Sequence, residues 1–287
     1  MIDQLVRQRL MSVVEDASGL IGYRFAGALY DLYEQLDAAL VQMLSEECPA
    51  TPHSCATVLD RAVLDRISFF EKLPSIPFEA VPHKLAQGAS PRVLSPSTCY
   101  NTFAHLAGTR ESWLVRSFTA RGRCHRYEPS AADPTRMGAF DMREFVLVGE
   151  PDEVVSWCEK LFERGVELIR AVDAGVRVAG ASDIFYGARS EATRKVQRAL
   201  GVKREGLLDW PDGNPVAVCS RNLHRDLFTS TFGIGPLEHA PAMHSSCVAF
   251  GLDRMLLVLL ARTPGHDVEA LSSRVTAAID GLIEVPA

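Results

Sequence analysis

The 287-residue chain has no CxxC pair, no GxxxxGK[ST] loop and no GxGxxG turn. The first absence excludes a metal knuckle built within one loop, so any metal site must be assembled from distant segments. The other two remove the familiar phosphate-cradling loops. Long apolar runs are missing too. The longest lies near Met255 to Ala261, far short of the roughly 20 residues a spanning helix needs, so no membrane partner is expected. The amino terminus, MIDQLVRQRLMSVVEDASG, is charged throughout and lacks the apolar core of a secretory signal. Positive charge is not in excess: the net charge of −6 argues against a non-specific binder of nucleic acid or phospholipid.

The cysteines that are present form an odd, scattered set of seven, at positions 48, 55, 99, 124, 158, 219 and 247. Without an export signal this reads as reduced thiols in a cytoplasm, not a disulfide frame. A hydrophobic content of 47% with 23% charged residues describes an ordinary globule, long enough to bury a large core.

Periodicity then orders the chain. Leu and Tyr recur at helical spacing over Ala26 to Glu46, and a second helical pattern runs from Ala56 to Leu73, ended by Pro74 and Pro77. Gly88 to Tyr100 reads as a short strand or loop closing on Ser97-Thr98-Cys99. Thr109 to Tyr127 and Phe140 to Gly149 read as two strands of a hairpin with an extended polar tip. Pro151 to Ala174 predicts a helix with Asp152 and Glu153 in its first turn. A basic helix follows over Glu191 to Gly201, then strands at Gly206 to Trp210 and Val216 to Cys219, and a loop through Asn222. Strands gathered in the middle with helices at both ends predict an α+β fold on an antiparallel sheet of about six strands.

The chain is organised around HSSCVAFGLDRMLLVLLA, His244 to Ala261. A strand that enters a helix through Gly251, with Arg254 in the helix's first turn, suits an anion such as a triphosphate. This pattern resembles motif 3 of the class II aminoacyl-tRNA synthetases. CHRYEPSAADPTRMGAFDMREF resembles their motif 2: an Arg-x-Glu, a loop, and a phenylalanine on the return strand. Together they look most like the seryl-tRNA synthetase branch, with motif 1, the dimer-interface element, not placed.

Two departures narrow the resemblance. The chain has about the length of a catalytic core, without an arm or anticodon-binding module. Where seryl enzymes carry Thr-x-Glu for the substrate amine, this sequence has Ser97-Thr98-Cys99. Cys99, Glu144 and Cys247 then fall where one subset of these folds binds zinc. The combination is similar to the amino acid:[carrier protein] ligases, truncated seryl-synthetase homologues.

That resemblance implies one class II synthetase-like catalytic domain over 1–287, an N-terminal helical segment of about 1–75 included, acting as a homodimer. It implies ATP-dependent activation of glycine or alanine to the adenylate, with magnesium accompanying ATP, and transfer to the phosphopantetheine thiol of a carrier protein, not to tRNA. Arg126 is expected at the α-phosphate and substrate carboxylate, Glu128 at the adenine amino group, and Phe145 stacked on adenine. Arg254 is expected against adenine or the γ-phosphate, Arg136 at the γ-phosphate, and Asn222 in the substrate and Mg²⁺ pocket. His224 reads as a surface histidine, and the remaining cysteines as structural. Arg194, Lys195 and Arg198, flanked by Arg189, Lys203 and Arg204, offer a docking surface for an acidic carrier. The rival readings are a synthetase core that charges tRNA and a non-catalytic regulatory paralogue.

Overall fold

The computed structural model describes residues 1–84, 90–127, 133–182, 190–236 and 242–282. The chain opens with α1 (Ile2–Arg7) and a hairpin of β1 (Met11–Asp16) and β2 (Gly19–Phe25); α2 (Ala28–Glu47) then leads into β3 (Ala50–Pro52). A small sheet of β4 (Val58–Asp60), β5 (Glu79–Ala80) and β6 (Arg92–Leu94) comes next, with short helices α3 (Arg61–Asp65) and α4 (Phe69–Lys72) between its strands. After α5 (Cys99–Leu106) come the long strands β7 (Val115–His125) and β8 (Ala139–Gly149), then α6 (Pro151–Val172). β9 (Arg177–Gly180), α7 (Ser190–Ala199), β10 (Lys203–Asp209), β11 (Pro215–Arg225), α8 (Leu227–Phe232), β12 (His244–Gly251), α9 (Leu252–Ala261) and α10 (Val268–Leu282) complete the order.

Seven strands form the main sheet in the order β3-β7-β8-β12-β11-β10-β9. All neighbours pair antiparallel except β3, which runs parallel to β7 at one edge. The expected α+β class and antiparallel sheet are what the chain adopts. Helices α2, α6, α9 and α10 pack on one face, and their contacts form the larger hydrophobic core. The smaller core lies on the other face, where Phe118, Val146, Val148 and Cys247 meet Phe103, Leu106, Phe228 and Phe232. Side chains alternate along a strand, so Phe140, Met142, Glu144 and Val146 of β8 share the second face while Arg143, Phe145 and Leu147 share the first. Gly165 lets α6 lie close on the sheet: a Cβ there would collide with the Phe250 ring of β12.

Several sequence expectations need correction. Residues 1–75 are not wholly helical, because the β1–β2 hairpin and β3 interrupt them. Ala56 to Leu73 is not one helix: β4, α3 and α4 share it, with Ser68 left-handed between the two helices (φ 53°). The segment after Cys99 is helical although CYNTFAHL contains weak helix formers. What holds it is packing: Phe103 stacks on Phe228 with ring centroids 4.3 Å apart. Asn222 lies on a strand rather than in a loop, since β11 stays paired with β12 as far as Arg225.

Candidate functional site

Three elements deliver Cys99, Glu144 and Cys247 to one point. Cys99 is the first residue of α5, Glu144 sits mid-strand on β8, and Cys247 lies one strand over on β12. Their ligand atoms all lie within 4.8 Å of one another, and all three residues are buried. A tetrahedral zinc with bonds of about 2.0–2.3 Å separates its ligand atoms by roughly 3.5–3.8 Å, which this cluster can reach with small side-chain adjustments.

Electrostatics point the same way. Burial pushes the Glu144 carboxyl up, against hydrogen bonds from Cys247 and the Cys99 amide, the Arg126 charge and a hydrogen bond from Ser97. The Cys247 thiol is pushed well up, first by its hydrogen bond with the Cys99 sulfur, then by burial and the Glu144 charge. Among the described residues, no Lys or Arg forms an ion pair with any of the three. Three buried acidic groups without a paired cation are costly unless a metal neutralises them. The donor set therefore fits zinc.

Around the trio, protein donors hold the ligands. The Cys99 amide donates to Glu144 Oε2, and Ser97 Oγ donates to the same oxygen at 3.4 Å. Asn222, directly opposite Cys247 in the sheet, places Nδ2 3.7 Å from its sulfur. His224 Nε2 lies 3.5 Å from the same sulfur. Asn222 thus borders the trio, and His224, read from sequence as a surface histidine, turns inward, edge-on against the stacked rings of Phe103 and Phe228.

Beside the trio, Arg126 Nε donates to the Pro96 carbonyl at 2.8 Å, one residue from Ser97. Arg254 Nε donates to the Thr135 carbonyl at 2.8 Å. The two guanidinium groups lie over one aromatic ring, at 5.3 and 5.1 Å from its centroid, and the ring belongs to Phe140. Phe145 is the correction here: both rings are buried in the larger core, but Phe145 lies on the face of β8 opposite Glu144, away from the two guanidinium groups. The sequence held the signal for this, because Phe140 is an even number of residues from Glu144 and Phe145 is not. Arg136 is exposed and pairs with Asp133 at 3.7 Å. Glu128 and Arg189 lie outside the described residues. Of the cysteines read as structural, Cys124, Cys158 and Cys219 are buried, and burial pushes their thiols up to about 12.

The arrangement joins a cation-hungry trio to a pair of arginines across an aromatic ring. Over 99% of its length the chain superposes, with a TM-score of 0.78, on 62% of the chain of M. kandleri SerRS, solved with A. aeolicus tRNASec. The fold is that of the class II aminoacyl-tRNA synthetases. A second class II likeness is the cytoplasmic serine-tRNA ligase of Naegleria fowleri, with a TM-score of 0.73 over 96% of this chain and 65% of that one. A third is the prolyl-tRNA synthetase of Cryptosporidium parvum, at 0.69 over 90% and 50%. Identities of 18%, 12% and 12% make these likenesses of fold alone.

No family model matches the chain. In sequence it is similar to two proteins of Bradyrhizobium diazoefficiens, amino acid–[acyl-carrier-protein] ligases 1 and 2. Each is 36% identical, over 186 and 182 residues, or 64% and 61% of this chain. The chain spans about half the length of these relatives, 56% and 52%.

Proposed function

We propose that the chain is an ATP-dependent amino acid:[carrier protein] ligase that activates glycine or alanine. The observation that carries this reading is the convergence of Cys99, Glu144 and Cys247 beside Arg126. Adjacent residues join the two halves, since Pro96 holds Arg126 and Ser97 holds Glu144. The similarity to the two Bradyrhizobium ligases supports the acceptor class.

ATP enters as its magnesium complex, with adenine between Phe140 and Arg254 and the α-phosphate at Arg126. A carboxylate oxygen of the amino acid attacks the α-phosphorus and pyrophosphate leaves. Charge neutralisation and in-line positioning suffice for this step, so no protein nucleophile is needed. The carrier's thiol sulfur then attacks the acyl carbon, its proton is lost, and AMP departs. Zinc held by Cys99, Glu144 and Cys247 would leave a fourth position for a free amine, selecting α-amino acids and fixing their orientation. Asn222 borders the same space.

The protein works as a cytoplasmic homodimer in this reading, and its net charge of −6 disfavours a tRNA gripped along many phosphates. Among the described residues no helix is long and apolar enough to cross a membrane. The docking patch on α7 is smaller than the sequence suggests. Arg204 is paired with Glu159 and Glu163, and Lys203 with Glu205 at 3.3 Å. On α7, Lys195 pairs with Glu191 at 2.8 Å but stays exposed, and with Arg194 and Arg198 it meets an acidic carrier in this reading.

The test is amino-acid-dependent ATP–pyrophosphate exchange across all twenty substrates, followed by transfer to a phosphopantetheinylated carrier protein and, separately, to tRNA. Exchange with glycine or alanine and loading of the carrier is the expected result. Efficient charging of tRNA, or no exchange with any amino acid, would overturn the proposal.

A further inference from the structure

His224 stands beside the trio without being one of its ligands. Its Nε2 is 3.5 Å from the Cys247 sulfur, and its Nδ1 is 3.4 Å from Ser245 Oγ, two residues earlier on the same strand as Cys247. The ring is fixed edge-on against Phe228 at 4.6 Å (79°) and against Phe103 at 5.7 Å (78°). Those rings set its plane, so both nitrogens are aimed by packing rather than by the hydrogen bonds they make.

We propose that Ser245, His224 and Cys247 form a hydrogen-bond relay in which His224 Nε2–H donates to the Cys247 sulfur, making His224 a positioning residue for the metal-binding thiolate. The inference rests on the metal reading of Cys99, Glu144 and Cys247. A metal-bound cysteine is a thiolate and can only accept, so the proton between the two groups belongs to Nε2. In the neutral ring Nδ1 is then the acceptor, and the only hydrogen Ser245 can offer it is its hydroxyl proton. Ser245 therefore selects the tautomer that the sulfur needs. Asn222 Nδ2, at 3.7 Å, supplies a second donor to the same sulfur.

Two donors on one thiolate do two things. They hold the sulfur at the position the metal requires, and they draw electron density from it, which leaves a bound metal more electron-poor toward an incoming amine. Cys99 differs: its sulfur is 3.6 Å from a hydroxyl, Ser97 Oγ, and among the described residues has neither an imidazole nor a side-chain amide beside it. The relay thus makes the two thiolates inequivalent.

Zinc competition against a chromophoric chelator, together with the absorption spectrum of the cobalt(II) form, tests this without an activity assay. His224→Ala should weaken zinc binding about 10- to 100-fold, the usual effect of losing an outer-shell partner. It should also move the sulfur-to-cobalt charge-transfer band to lower energy. His224→Gln places an amide donor near the Nε2 position and should restore most of both signals. Ser245→Ala should shift them in the same direction as His224→Ala by a few-fold. Because the ring packs among aromatics, the Gln and Ser245 variants keep the test valid if His224→Ala does not fold. Unchanged affinity and an unmoved band in His224→Ala and Ser245→Ala, while Cys247→Ser loses metal, would overturn the relay and leave the trio standing. A wild-type chain that takes up neither zinc nor cobalt would overturn the trio and the relay together.

Discussion

Behind the central sheet, on the α2 side, Asp37 lies between Arg143 at 2.7 Å and Arg121 at 3.2 Å, and Arg121 also reaches Glu34 at 2.9 Å. In front of it, Glu144 and two thiols share a space with no paired cation among the described residues. Arg143 and Glu144 are neighbours in sequence, and alternation along β8 sends them to opposite faces. One face meets its own charges and is complete as folded. The other gathers three buried acidic groups with no ion pair among the described residues, beside arginines whose Nε groups donate to backbone carbonyls. A buried ion pair is costly to break, and buried acidic groups without one mark a candidate ligand site.

The comparison breaks most visibly at the trio. Purified protein should hold about one zinc per chain, and Cys247→Ser or Cys99→Ser should lose it together with all activity, since two ligands are too few. Elemental analysis that finds active protein free of zinc would end the metal reading. On the opposite face, Asp37→Ala strands Arg143 and should cost about 3–5 kcal/mol of stability. Its zinc content, measured on folded protein, should stay at the wild-type value; a loss of metal there would mean the two faces are not independent.

Arg126→Ala and Arg254→Ala should each remove on the order of 2–4 kcal/mol of transition-state stabilisation in pyrophosphate exchange, with little change in melting temperature. Rates within a few-fold of wild type would dissociate the arginines from the nucleotide. Phe140→Leu should raise the KM for ATP, whereas Phe145→Leu, altering a core ring, should lower stability instead.

Asp253 sharpens the contrast through pH. Burial raises its carboxyl to about 6, against the nearby Arg123 guanidinium and the Asp141 amide; the Asp141 charge and the Tyr33 hydroxyl face it as well. Between about pH 4 and 6 the folded state therefore binds more protons than the unfolded state, and this group's contribution to stability falls as pH rises through that window. Asp253→Asn should gain on wild type from pH 4 to 7 by up to about 3 kcal/mol in urea melts. A pH-independent difference between the two proteins would refute the assignment. The smallest effect is expected at α7. Reversing Arg194, Lys195 and Arg198 to Glu should slow transfer to the carrier several-fold at low salt and leave adenylation intact, with the difference shrinking as salt rises.

Much of this protein was legible in its residues. Long periodic elements with clear ends declared themselves: Pro151 at the start of α6 with acids in its first turn, the β7–β8 hairpin, and the strand–glycine–helix of β12 and α9. The trio was legible through resemblance, and Phe140 could have been found by counting in twos from Glu144. What the residues alone did not determine depends on partners distant in sequence. The helix at Cys99 exists because Phe103 stacks on Phe228, more than a hundred residues away. β11 runs on through Asn222 and His224 because β12 supplies the hydrogen bonds. His224 turns inward because two phenylalanines shape its place. Local periodicity and end signals act within one segment, so the sequence by itself determined the long elements and the residue types of the site. Only tertiary packing, which brings together side chains from α5, β8, β11 and β12, decided that three acidic groups and an imidazole share one buried point.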